Sequence, residues 1–86
     1  MGWINELWIM VVGGDDDDER LVVKSNDMFK IRKAIEKYED EVTYDMNKYF
    51  ELSTNRQAYT FSSLEQFDSY DFTTDMSRYV GALFGL

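Results

Sequence analysis

Carboxylates are the only side chains in this sequence present in enough number to carry chemistry: 17 Asp and Glu stand against nine Lys and Arg, with no histidine and no cysteine. Without imidazole or thiolate there is no ordinary general base near neutral pH, no cysteine nucleophile and no usual zinc ligand set. The serines have no histidine to activate them. Paired Asp and Glu can act as acid and base or hold Mg²⁺, and Lys24 is the one lysine close to the densest acidic run. No carboxylate spacing is diagnostic of such a site, so a carboxylate-dependent metal enzyme is the third of three readings. The expectation is a non-catalytic chain that uses no cofactor.

The densest cluster is Asp15, Asp16, Asp17, Asp18 and Glu19, directly after Gly13-Gly14. An EF-hand loop starting at Asp15 would need glycine at its sixth position and an acid at its twelfth, where the sequence has Arg20 and Asn26. A phosphate-binding loop would follow its glycines with Lys and Ser or Thr, and acid here repels a phosphate instead. The cluster therefore reads as a solvated acidic tip, which also discourages edge-to-edge aggregation.

A second acidic territory follows residue 38, where Glu39, Asp40, Glu41, Asp45, Glu51, Glu65, Asp68, Asp71 and Asp75 face only Lys48, Arg56 and Arg78. Aromatics are interleaved with them. Tyr44, Phe50, Phe61 and Phe67 read as core, whereas Tyr49 and Tyr70 sit among acids and are candidates for an interface. The candidate partner-binding residues are thus Glu39, Asp40, Glu41, Asp45, Tyr49, Asp68, Tyr70, Asp71 and Asp75, together with Asp15, Asp16, Asp17, Asp18 and Glu19.

These groups must be positioned by a small fold. At 44% hydrophobic and 16% aromatic residues, the chain has too much apolar surface to stay disordered, and 86 residues form one domain. Leu7 through Val12 is apolar at both parities and predicts a central strand, paired in a hairpin with Leu21-Val22-Val23. The loop between them is expected to be extended by its own charge. Ser25-Asn26-Asp27 is a capping cluster before Met28, Ile31, Ile35 and Tyr38, whose spacing predicts a helix over residues 27–39. That helix carries Lys30, Arg32, Lys33 and Lys37 and is the one basic element.

From Val42 the alternation Val42, Tyr44, Met46, Phe50, Leu52 predicts a strand, with Lys48 interrupting the apolar parity. The competing reading extends the helix through Val42, Met46 and Tyr49. Residues 53–56 read as a turn and residues 58–61 as a returning strand. Ser62 and Glu65 match a capping box for a short helix. Thr73-Thr74-Asp75 would cap a last helix with an apolar stripe of Met76, Tyr79, Val80, Leu83 and Phe84. The order ββαββαα predicts an α+β fold, a small antiparallel sheet of two hairpins with helices packed on one face.

Net charge of -8 opposes nucleic-acid phosphates and anionic lipid, and the apolar start of the chain is too short to span a bilayer. Absent cysteine fits a reducing, cytoplasmic setting. The leading expectation is an acidic protein that blocks a basic, nucleic-acid-binding surface on a partner protein. Its composition is analogous to that of phage-encoded DNA mimics of the anti-CRISPR and anti-restriction classes, which act in the host cytoplasm. The alternative is a homo-oligomeric structural or regulatory subunit whose acidic surface serves solubility.

Overall fold

A computed structural model of the chain describes residues 3–70. Its strands are β1 (Glu6–Val11), β2 (Arg20–Lys24), β3 (Lys48–Ser53) and β4 (Ala58–Phe61), and its helices α1 (Met28–Tyr44) and α2 (Leu64–Ser69). The strands form one antiparallel sheet in the order β2-β1-β3-β4. This is the α+β fold expected, with the two helices on one face. The apolar stripe at residues 76–84 and the acids Asp71 and Asp75 lie outside the described residues.

β1 is central, as its apolar run implies, but only one of its faces is sealed. Leu7 and Ile9 are buried with Phe50 and Leu52 of β3, Tyr59 and Phe61 of β4, Ile31, Ile35 and Val42 of α1, and Phe67 of α2. Phe61 joins the layers, its ring stacked on Phe50 at 5.5 Å and tilted against Phe67 at 5.4 Å between centroids. On the other face Trp8, Met10 and Tyr49 are half-buried.

The helix signal holds and runs further than expected. Asp27 is the N-cap, its carboxylate accepting from the Phe29 N–H at 3.0 Å, which satisfies a donor the first turn cannot use. α1 then continues through Glu39-Asp40-Glu41 to Tyr44, so the strand expected from Val42 begins only at Lys48. The reason is the core: Val42 extends the series Ile31, Ile35, Tyr38 by one more helical step and is 1% exposed. An apolar residue that completes a helical stripe outweighs a short alternation. Tyr44 and Met46, read as core by that alternation, are instead solvent-facing.

At the second helix the cap moves by one residue. Ser63, not Ser62, accepts from the Gln66 N–H at 3.1 Å, and the Gln66 amide oxygen accepts from the Ser62 N–H at 2.7 Å. Gln66, in place of Glu65, thus reaches back to the residue before the cap, one position short of the reciprocal bond of a capping box.

The β1–β2 pairing carries a bulge that determines the surface chemistry. Leu7 pairs with Val23, but Trp8 pairs with Leu21 and Ile9 with Arg20, leaving Val22 as the extra residue. Because side chains alternate faces, one inserted residue transfers Arg20 to the helix side and Leu21 to the outer side.

Candidate functional site

The acidic loop, the end of α1 and the start of β3 meet at one end of the sheet. Val12 extends β1 by donating its N–H to the Asn47 carbonyl at 2.6 Å, so the chain entering the loop lies against the α1–β3 connection. Gly13 has φ +70, the left-handed conformation glycine adopts without strain. Gly14 packs so tightly that a Cβ there would meet the Asp18 carboxylate at 2.8 Å.

The loop is not extended by its charge. Asp16–Asp18 forms one turn of 3₁₀ helix, closed by the Asp18 N–H to the Asp15 carbonyl at 2.9 Å. The Asp18 carboxylate accepts from the Asp15 N–H at 2.9 Å. A charge-assisted local hydrogen bond outweighs repulsion that solvent at an exposed site screens strongly. Asp15, Asp16 and Asp17 are left exposed around a shallow concavity they line with Gly14. Among the described residues no group of three or more acids is arranged to hold a metal ion.

The α1–β3 connection is equally well tied. The Asp45 carboxylate accepts from the Asn47 N–H at 3.0 Å, and the Asp45 carbonyl accepts from the Lys48 N–H at 2.9 Å. Asp40 is exposed on the last turns of α1, and its carboxylate has no ion-pair partner among the described residues. The loop that carries Asp15, Asp16 and Asp17 and the connection that carries Asp45 thus lie at one end of the sheet, with Asp40 one turn before the end of α1 and Glu19 half-buried at the base of the loop.

Other candidate acids are engaged by their own chain. Glu41 is clamped from both sides, with Arg20 Nη2 2.8 and 2.9 Å from its two oxygens and Lys48 Nζ at 2.9 Å. Hydrogen bonds from Arg20, then Lys48, hold its carboxyl below the usual range. The bulge explains the first contact by turning Arg20 toward the helices; Lys48, the residue that broke the apolar parity, supplies the second. Asp68 is gripped by Arg32 through Nε at 3.1 Å and Nη2 at 2.9 Å, which depresses its carboxyl and raises the Arg32 pKa in turn. Glu39 accepts from the Leu64 N–H at 2.6 Å and so fastens the start of α2 to α1.

The two candidate tyrosines also part company with the acidic end. Tyr70 donates its hydroxyl to the Thr60 carbonyl at 2.8 Å, and its ring meets Tyr59 edge-on at 5.2 Å. Tyr49 lies on the outer sheet face opposite Met10. Alternation misplaced Tyr44 and Met46, which belong to the acidic end; they are 88% and 95% exposed. The signal that could have found them is the helical series ending at Val42, which puts Tyr44 off the buried stripe.

The two cations at this end, Arg20 and Lys48, are both taken up by Glu41. Arg20, Lys24, Arg32 and Lys48 are in ion pairs, while Lys30, Lys33 and Lys37 are exposed along α1, with Lys33 Nζ 5.0 Å from the Phe29 ring centroid. Comparison with known proteins finds no matching family model, no matching curated protein and no matching solved structure.

Proposed function

We propose that this chain is a non-catalytic acidic binding protein whose loop end occupies a basic, nucleic-acid-binding surface on a partner protein, in the manner of folded DNA mimics such as phage-encoded inhibitors of CRISPR and restriction systems. The observation that carries this reading is the ordered loop. Asp15, Asp16 and Asp17 are held on a capped turn, free of ion pairs among the described residues, on a loop whose entry is bonded to the α1–β3 connection, so negative charge is presented without a large ordering cost on binding. Fixed charge of one sign steers a basic partner and speeds its encounter.

The test is competition. A partner recovered from host lysate should be displaced from this chain by duplex DNA, and its affinity should fall steeply with ionic strength. The chain itself should give no mobility shift with DNA or RNA at low salt. A partner whose binding ignores both salt and nucleic acid, or micromolar binding of nucleic acid by the chain, would overturn this reading. A self-associating subunit is the second reading, favoured by the half-exposed Trp8, Met10 and Tyr49 on the outer sheet face. A concentration-dependent mass in sedimentation would support it.

A further inference from the structure

The face of the sheet turned away from the helices is more apolar than an open face requires. Strand register makes it one patch. Leu21 lies directly opposite Trp8 and Tyr49 directly opposite Met10, while Trp8 and Met10, two residues apart, share one side of β1. Glu6 and Glu51 lie on the same face and give the patch a polar border. An antiparallel strand open to water on one side alternates apolar with polar residues, whereas β1 is apolar at both parities, as a strand covered on both faces is. Trp8 is also ready to be covered. Its Nε1 donates to Glu6 Oε1 at 3.0 Å, so burying the indole leaves no orphan donor. Both helices pack on the opposite face, around Leu7 and Ile9, so neither supplies the cover.

We propose that segment 76–84 of this chain packs across that patch and makes the sheet the middle layer of three. Residues beyond Tyr70 lie outside the described structure; the occupant is identified by its sequence and by where the chain leaves the sheet. Met76, Tyr79, Val80, Leu83 and Phe84 fall at i, i+3, i+4, i+7 and i+8, a helical stripe that needs an apolar surface to lie on. As a helix that stripe is roughly 12 Å long at about 1.5 Å per residue. The patch is roughly 10 Å across from β2 to β3, two strand spacings. The point of departure is equally suitable. The Tyr70 hydroxyl donates to the carbonyl of Thr60 in β4, the edge strand beside β3. From there the five residues 71–75 reach at most roughly 17 Å, enough to round the edge and climb the roughly 10 Å between packed layers. Arg78 is the one ionised side chain in residues 76–84, so this part of an acidic chain is not repelled by Glu6 and Glu51. A face sealed by its own chain is closed to self-association, while the acidic end is left free.

Nuclear Overhauser contacts in the ¹³C-labelled full chain test this directly. The Trp8 indole and the Met10 methyl should show contacts with the side chains of Val80, Leu83 or Phe84. None of these should appear in an equal mixture of labelled and unlabelled chain when only contacts between the two are selected, because the cover comes from the same molecule. Contacts found only between labelled and unlabelled chains, with a mass that rises with concentration in sedimentation, would give the face to a second copy and overturn the proposal. Absence of contacts in both experiments would overturn it too, by leaving the face open. Neither outcome would touch the reading of the acidic end, which is tested by salt and by competition with DNA.

Discussion

Replacing Glu41 by glutamine preserves the shape of the side chain and removes the charge that Arg20 and Lys48 share at 2.8 and 2.9 Å. The carboxylate is 34% exposed, so solvent screens both pairs and neither has the strength of a buried one. Exposed pairs contribute about 0.2–1 kcal/mol each, so the two together should contribute about 1 kcal/mol. In a domain of 86 residues that corresponds to a fall in Tm of roughly 4–8 °C.

The pH dependence gives a second and sharper handle. Arg20 and Lys48 lower the folded-state pKa of Glu41, so its contribution is complete above the unfolded carboxyl pKa and is lost as pH falls through the folded value. Wild type and Glu41→Gln should therefore differ fully near neutral pH, converge on acidification, and coincide once the carboxyl is protonated in both states. Thermal melts followed by circular dichroism across this range measure the gap directly. Equal melting near neutral pH would refute the clamp, and a gap unchanged in strong acid would show that shape, not charge, is responsible.

Phe50→Ala should cost about 3–5 kcal/mol, enough to leave a marginal domain largely unfolded, because the ring is 0% exposed and stacks on Phe61; chemical denaturation measures it. Gly13→Ala should cost about 1 kcal/mol because φ there is +70, while Gly13→Asn should cost less, since asparagine tolerates that region; equal losses in denaturant titrations would remove the conformational argument. Asp16→Asn/Asp17→Asn should leave Tm unchanged or raise it, whereas Asp18→Asn weakens the turn that the Asp18 carboxylate closes and should speed hydrogen exchange at the Asp15 amide. Faster exchange in the first variant would mean that Asp16 and Asp17 hold the loop together.

What could be read in the sequence is what depends on neighbours along the chain. Asp27 caps α1 because an aspartate before Met28 and Phe29 can reach their free N–H groups whatever the tertiary structure. Strands β1, β2 and β4 and the four-residue turn between Ser53 and Ala58 follow from equally local patterns, whereas the start of β3 was misread because burial of Val42 against the core, a tertiary effect, kept α1 going. The bulge at Val22 was not legible, because Leu21, Val22 and Val23 are all apolar and any of them could have faced inward. With that ambiguity went the identity of Glu41's partner, since only the bulge brings Arg20 to the helix side. Acids adjacent along the chain therefore play different parts. Glu39 fastens a helix, Glu41 binds two cations, and Asp40 between them faces water.

That separation has an energetic consequence for binding. Asp15, Asp16, Asp17, Asp40 and Asp45 repel one another in the free protein, and the fold offsets this with local bonds, the Asp18 cap and the Asp45 turn, not with opposite charge. A basic partner would add attraction and also relieve that repulsion, so it should stabilise the chain by linkage as it binds. Salt would reach the same carboxylates with opposite effect in the two states. Screening removes repulsion and favours the free fold, yet it removes attraction and disfavours the complex. If the charge served solubility alone, only the first effect would exist. An affinity that falls with salt while the free chain's Tm rises is therefore the combination that separates a surface for recognition from one that merely keeps the protein in solution.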